Sequence, residues 1–380
     1  MRILVMIYEY PPVGGGGGQA AQDICVKLAE RGHEVQVLTA HWGKLPLVEN
    51  QEGVIIRRVR SFRRLPYQAG FFPMAVYALA SILPAIKLIL GWKPDLVHCH
   101  FAVPTGVTAW AATRITRTPY VLTAHLGDVP GGVPEKTDRW FTWVYPLTHP
   151  IWNKAAHAVG VSEHTRQLTA ISYPKISMDV IPNGLNYEML DPGEIVVQTP
   201  PRLVFAGRFM AQKNLINLVK ILAAVKDLPW ECTLIGDGPQ KTEVEEEIER
   251  QKLADRFKLT GWVTPAEVLD TFRNSDILFM PSLSEGLPVV GVQGLTMGLA
   301  LVMSSVGGCA DLVDHKTNGY LLDRNDNTGF ENALRKLLQN PDKLLQFRRA
   351  SRQHVKRFDI NHIVDSYEKI FEKVTRKTAP

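Results

Sequence analysis

Ile277-Leu278-Phe279-Met280-Pro281-Ser282-Leu283-Ser284-Glu285-Gly286-Leu287-Pro288-Val289-Val290-Gly291-Val292-Gln293-Gly294-Leu295-Thr296-Met297-Gly298 reads as a short strand, a turn and a helix opened by small residues. Four apolar residues without polar alternation describe a strand covered on both faces, which is how strands of a parallel sheet appear in sequence. The turn then places Glu285 at the strand's carboxyl end, where open α/β sheets bind their ligands.

Outward from this stretch the pattern repeats. In the second half, Leu203–Ala206, Thr233–Ile235, Phe257–Leu259, Leu299–Met303 and Tyr320–Leu322 are further strand candidates. Helical segments Leu215–Val225, Lys241–Lys252, Pro265–Arg273 and Thr328–Gln339 fall between them. The first half carries Ile3–Ile7, Val35–Thr39, Val54–Val59, Leu96–Cys99, Tyr120–Ala124 and Ala158–Val161, with helices over Gln19–Arg31, Met74–Leu90 and Gly106–Thr113. Such alternation predicts α/β doubly wound parallel sheets.

The two series are separated by the irregular stretch Asn183–Pro201, with Asp191-Pro192-Gly193 and Thr199-Pro200-Pro201. A chain of 380 residues exceeds what one core usually supports. The sequence therefore predicts a first domain over 1–185 and a second over 186–359, with the ligand in a cleft between them. The amphipathic stretch Ile360–Lys373, within 360–380, is expected to return and pack on the first domain.

Four cysteines, Cys25, Cys99, Cys232 and Cys309, form no CxxC pair, which argues against a disulfide framework or structural zinc and for a reducing compartment. The N-terminus Met1-Arg2-Ile3-Leu4-Val5 runs straight into Tyr10-Pro11-Pro12 and reads as a first strand rather than a signal segment. A cytoplasmic location is expected. The net charge of +5 belongs to residues 1–190, with 18 Lys/Arg against 13 Asp/Glu; residues 191–380 hold 25 of each. Arg57, Arg58, Arg60, Arg63 and Arg64 cluster ahead of the apolar run Phe71–Leu90. They read either as a solvated strand end or as a patch for anionic lipid or a phosphorylated acceptor, hence peripheral contact at the inner face of the membrane. The apolar run has a single charge, Lys87, but Pro73 and Pro84 interrupt it, and a core helix is the favoured reading over a membrane span. Nucleic-acid binding is disfavoured, since no cationic patch is interleaved with aromatics.

Two further segments could carry chemistry. Gly14 to Gly18, with Gly16 and Gly17 at its centre, form a loop before a helix expected to begin near Gln19. It lets backbone approach an anion, or is merely flexible; the dinucleotide fingerprint does not fit. Arg208 and Lys213 follow the first strand of the second domain, five residues apart across a turn, and could straddle a diphosphate. Glu285 could accept hydrogen bonds from sugar hydroxyls, or simply cap a helix. Gln293 lies eight residues on, about 12 Å along a helix, and could reach a ribose hydroxyl.

Gly207-Arg208 with Lys213-Asn214, Gly236-Asp237-Gly238-Pro239, Gly261-Trp262-Val263, Pro281 to Gly286, Ile181-Pro182-Asn183-Gly184, the glycine loop and Leu96-Val97-His98-Cys99-His100 together resemble the retaining glycosyltransferases of family 4 (group 1), with the GT-B fold. That resemblance spans nearly the whole chain. It implies two Rossmann-like domains facing across a cleft, a metal-independent reaction without a cofactor, and net retention at the anomeric carbon. The donor it implies is a UDP-sugar, UDP-glucose foremost, and the acceptor a glycan or lipid-linked sugar in polysaccharide or envelope glycan synthesis.

Carried onto this sequence, Arg208 and Lys213 would neutralise the departing diphosphate. Glu285 would hold the donor sugar, and Gly16, Gly17, Gly207, Gly236, Ser284, Gly286, Leu287 and Pro288 would line the nucleotide site, though Pro288 offers no N–H. Trp262 and Val263 would border the base, and His125, in Thr123-Ala124-His125-Leu126-Gly127-Asp128, matches the family's active-site histidine. The family usually has glutamate where this chain has Gln293, so altered nucleotide binding is expected. A sugar-nucleotide epimerase, acting without an acceptor, and a non-catalytic nucleotide-sugar binder are the competing readings.

Overall fold

The computed structural model describes residues 1–65 and 70–378. The described chain divides into two compact units, one of residues 1–185 with 360–380 and one of residues 186–359.

The first unit runs β1 (Arg2–Met6), α1 (Gly16–Glu30), β2 (Glu34–Ala40), β3 (Val48–Gln51), β4 (Val54–Val59), α2 (Phe71–Ala80), α3 (Ile82–Trp92), β5 (Leu96–His100), α4 (Thr105–Thr116), β6 (Tyr120–Ala124), α5 (Pro134–Lys154), β7 (His157–Gly160), α6 (Glu163–Ser172) and β8 (Met178–Val180). Among the described residues these strands form one sheet in the order β3-β4-β2-β1-β5-β6-β7-β8. Only β3 is antiparallel, pairing Gln51 with Val54 at the sheet edge. The chain winds outward one way from β1 and the other way from β5, so the carboxyl ends of those neighbours mark a switch point.

The second unit runs β9 (Arg202–Ala206), α7 (Leu215–Ala224), β10 (Glu231–Ile235), α8 (Lys241–Arg250), β11 (Phe257–Gly261), α9 (Pro265–Arg273), β12 (Ile277–Met280), α10 (Val289–Thr296), β13 (Ala300–Ser304), α11 (Cys309–Leu312), β14 (Gly319–Leu322), α12 (Asn327–Leu338) and α13 (Pro341–His354). Its all-parallel order is β11-β10-β9-β12-β13-β14, with the switch point between β9 and β12. All four residues of β12 are completely buried, as an apolar strand covered by helices on both faces must be. Local signals set the helix starts: Thr264 and Glu267 form a reciprocal capping box with Pro265 in the first turn of α9. Inside the unit, the buried Asp276 carboxylate accepts from the amides of Gln198 and Arg202 and pairs with buried Arg348, whose Nε donates to the carbonyl of Gly298.

The last helix, α14 (Ile360–Thr378), belongs to the first unit. Ile363, Val364, Tyr367 and Phe371 enter one core with Ile24 and Leu28 of α1 and with Val5 and Val121 of the sheet. Arg31 Nη1 lies 2.6 Å from both Asp365 and Glu368, and His33 Nε2 2.9 Å from Glu368.

Several elements differ from the sequence expectation. The helix expected near Gln19 begins at Gly16, so Gly16 and Gly17 are its first turn rather than loop. Strands β3 and β8 were too short and polar to stand out. Two internal prolines, Pro146 and Pro150, hid α5. The apolar run is not one core helix: it turns at Ser81 into α2 and α3, and Phe71–Trp92 is long and apolar enough to cross a membrane by length and composition while little of it is buried. Its inner face, Ala78, Ser81, Ala85 and Ile89, is buried, with Ser81 Oγ 2.6 Å from Thr108 Oγ1 of α4.

Candidate functional site

In the second unit the strand order itself brings the expected residues together. β9 and β12 are adjacent at the switch point, so the turns leaving their carboxyl ends must meet. Gln212 fastens them: its carbonyl accepts from Leu283 N at 2.8 Å and its side-chain amide donates to the carbonyl of Ser284 at 2.8 Å. Asn214, in the left-handed conformation at φ 57°, opens α7 and donates to the carbonyl of Pro281 at 3.1 Å.

Between these fasteners Lys213 Nζ meets Glu285, 2.7 Å from Oε1 and 2.8 Å from Oε2. Glu285 is buried, and the Lys213 side chain keeps only 16% of its surface. A pair so enclosed loses most hydration and holds because each charge has the other. Arg208 sits half-buried at the end of the same β9 turn.

The surrounding backbone is packed to contact. A Cβ on Gly236, at φ +132°, would lie 1.9 Å from the carbonyl oxygen of Gly207, and one on Gly307, at φ +53°, would lie 1.6 Å from that of Glu285. Gly308 N donates to the carbonyl of Gly286 at 2.5 Å, so the Glu285 turn is held from the β13 side as well. Arg324, beyond β14, donates to the carbonyl of Leu283 at 2.9 Å. Sequence reasoning missed Arg324 and Gly307, because nothing in their local pattern shows which turn they support.

Ser284 and Leu287 are buried beside Glu285, and Pro288 caps α10, whose first turn carries no acidic side chain. Trp262 stands 47% exposed at the end of β11, next to half-buried Val263. Gln293 is half-buried on α10. Because that helix starts only at Val289, its rise accounts for about 6 Å of the path from Glu285 rather than the 12 Å of a continuous helix. The hydroxyls of Ser282 and Ser304, at the ends of β12 and β13, are buried without a hydrogen-bond partner among the described residues. Unpaired buried hydroxyls carry a desolvation cost, and the sequence had assigned them no role.

The first unit has its own constellation. His125, at the end of β6, stacks on Phe101 with ring centroids 4.4 Å apart, and its amide donates to Asp128 Oδ1 at 3.0 Å. Asp128 Oδ2 accepts from Ala102 N at 2.7 Å, tying the exits of β5 and β6 together. A Cβ on Gly17 would stand 2.8 Å from the Phe101 ring and 3.3 Å from His125 Nδ1, so glycine there lets the first turn of α1 approach the stacked pair.

His125 Nε2 lies 3.0 Å from His100 Nδ1. Next on the strand face come His98, its ring 4.2 Å from that of His100, and then Thr123 Oγ1, 2.9 Å from His98 Nε2 and 3.2 Å from Tyr367 Oη of α14. Burial lowers all three histidines, His98 and His125 to about 3 and His100 well below its usual value, so the imidazoles are neutral at pH 7. His125 is half-buried as a residue, and its Nδ1 is buried and unpartnered among the described residues. One proton serves the two facing nitrogens of His100 and His125, so the tautomer of one fixes that of the other. Burial also raises Asp128 to about 6 against its two amide hydrogen bonds. His100 and Asp128 were legible only as parts of motifs; their contacts to His125 needed the β5–β6 register.

Two family descriptions match in tandem. Residues 14–188 match Glycosyltransferase Family 4, and residues 191–354 match Glycosyl transferases group 1. The chain is 25% identical to the 2-deoxystreptamine glucosyltransferase of Streptomyces kanamyceticus, over 92% of this chain and 97% of that one. It is 23% identical to the N-acetyl-alpha-D-glucosaminyl L-malate synthase of Bacillus anthracis, over 99% and 98%. Among solved structures, the sucrose-phosphate synthase of Thermosynechococcus elongatus superposes with a TM-score of 0.83 at 18% identity, covering 99% of this chain and all of that one. HepE of Anabaena, in complex with UDP and glucose, gives 0.78 at 18% identity over 98% and 100%.

Proposed function

This chain belongs to the group 1 glycosyltransferases and has their GT-B fold, and on that premise we propose that it moves a hexose, glucose foremost, from a UDP-sugar to a hydroxyl of a glycan or lipid-linked sugar. The setting would be polysaccharide or envelope glycan synthesis in the cytoplasm. The four free, buried thiols sit well with that compartment.

The observation that carries the reading is the enclosed Lys213–Glu285 pair at the switch point between β9 and β12. Lys213, held beside Glu285, and Arg208 both follow β9 at its carboxyl end, and the first-turn amides of α10 add positive dipole, so together they can meet a diphosphate. Glu285, fixed by Lys213, then has its remaining acceptor capacity for sugar hydroxyls. In the reaction the bond from the anomeric carbon to the diphosphate oxygen breaks, with Arg208 and Lys213 stabilising the departing charge. The acceptor oxygen bonds to that carbon from the same face, and its proton passes to the leaving phosphate oxygen. No metal is needed when two cations and a helix start supply the charge. HepE, a structural neighbour, was solved with UDP and glucose, which supports uridine as the base and glucose as the sugar.

A thermal-shift panel of nucleotide sugars against the pure protein should single out a UDP-hexose. NMR of the sugar released or transferred should then show the donor's own anomeric configuration. No stabilisation by any nucleotide sugar rejects the donor reading, an inverted product rejects retention, and epimer formation without acceptor identifies an epimerase instead.

A further inference from the structure

The outward face of α2 and α3 is apolar where solvent-facing helices are usually charged. Phe72, Leu79, Leu83 and Leu90 are 59–70% exposed; Phe72 and Leu79 lie seven residues apart on α2 and Leu83 and Leu90 seven apart on α3, so each pair lies along one face of its helix and together they make an apolar stripe. At 10 and 11 residues, α2 and α3 each present their part of that stripe over about 15 Å of helix. The opposite face is already used, by α4. An exposed apolar strip of this size marks a surface that meets something apolar.

Beside it lies an open groove of about 880 Å³ between α3 and the β2–β4 edge. Arg57, Arg60 and Lys87 line it together with Leu47, Leu88 and Trp92. The arginine cluster of the sequence is therefore divided. Arg58 and Arg63 are buried and paired with Glu49 and Glu9, and Arg57 is half-buried with its Nε on Gln36. Arg60, Arg64, Lys87 and Lys93 are exposed, and among the described residues no carboxylate pairs with them or with Arg57. Lys87 falls between Leu83 and Leu90 on the stripe itself and also lines the groove, so the apolar and cationic surfaces are continuous.

We propose that this face docks on an anionic membrane: the stripe of Phe72, Leu79, Leu83 and Leu90 enters the headgroup–acyl boundary, and the groove of Arg57, Arg60 and Lys87 takes a lipid headgroup phosphate. A helix lying in the interface needs an apolar face with flanking cations, and both are present here on one surface. A second copy of this chain would bring the same unpaired cations face to face, whereas an anionic bilayer neutralises them. The inference stands apart from the proposed transfer reaction, because none of these residues belongs to the donor site.

The test is sedimentation of the full chain with vesicles of phosphatidylcholine alone or with about a third phosphatidylglycerol. Binding should appear with the anionic vesicles, weaken between 0.1 and 0.5 M salt as surface charges are screened, and be negligible with the neutral ones. Each cation near the surface strengthens binding by about fivefold, so R60E with K87E should weaken it at least about 25-fold. L83E with L90E should abolish it; all four positions are exposed or at the groove rim, and an unchanged Tm shows that the fold is intact. K213A, impaired in transfer, should bind vesicles like wild type, which separates this result from the fate of the donor reading. Equal binding to both vesicle types, no binding to either, or undiminished binding by the two double variants overturns the proposal. So does a dimer that L83E with L90E dissociates in the absence of vesicle binding. Displacement by glycerol phosphate at the same phosphate concentration would assign the groove to a free phosphate ligand and overturn the membrane assignment.

Discussion

Lys213 and Glu285 illustrate how one contact serves both stability and chemistry. Removing one partner of an enclosed ion pair leaves an uncompensated charge, at a cost of about 3–5 kcal/mol. Lys213→Ala should therefore lower Tm as well as transfer. Lys213→Ala with Glu285→Ala should recover much of the lost stability, since neither charge remains unpaired, yet recover no activity. A thermal melt and a transfer assay on the two single variants and the double variant read both quantities. Equal losses of stability in the double variant and the sum of the singles would remove the pair from the account. At this scale the sequence was informative about identity and silent about pairing. It placed Glu285, Arg208 and Lys213 at strand ends, but reserved the lysine for phosphate and the glutamate for sugar, because two residues 72 positions apart give no sign of touching. How far Gln293 reaches depends on where α10 starts, which the sequence did not show.

Among elements, β5 and β6 carry the buried histidines, and their burial makes the first unit acid-sensitive. A histidine lowered in the folded state holds fewer protons there than when unfolded. Its stabilising contribution is full above the unfolded value of 6.5 and is lost as pH falls toward about 3. Asp128 and Asp23, both raised to about 6 by burial, act with the opposite sign: each favours the folded state below 3.8, and that contribution is lost as pH rises through about 6. Three histidines outweigh two aspartates, so acidification from pH 7 to 5 should destabilise the first unit by about 1–2 kcal/mol per pH unit near the lower end. Hydrogen exchange should show it: the amides of β5 and β6 lose protection at pH 5 while those of β9 and β12 keep theirs. Uniform loss across both sheets would contradict the assignment. The strands themselves were plain in the sequence, since buried parallel strands are apolar runs. The short edge strand β3 and the proline-bearing α5 were not, because their signals are local exceptions that only pairing and packing settle.

At the scale of the molecule, two doubly wound sheets were legible from alternation alone, and the strand order then explains why both constellations sit where they do. The return of Ile360–Thr378 to the first unit was expected from its amphipathic pattern and is what the core shows. Seven of its apolar side chains, from Ile360 to Val374, are buried in that core. At about 1.5–3 kcal/mol each they amount to about 10–20 kcal/mol, as much as the whole stability of a typical domain. A chain ending at Asp359 should therefore leave the first unit unfolded while the second keeps its exchange protection. Protected amides in β1, β2 and β5 of that truncated chain would show the helix to be dispensable.

The same arrangement sets the order of events at the ribosome. Everything the second unit needs lies in one continuous stretch, complete once residue 359 has emerged. The first unit begins earlier yet waits for residues 360–380, so its sheet stays uncovered on the α14 side throughout the synthesis of its neighbour. A strand-rich intermediate with an uncovered α1 and sheet face is the species most in need of chaperone protection during translation, and a ribosome stalled late in the message would release it.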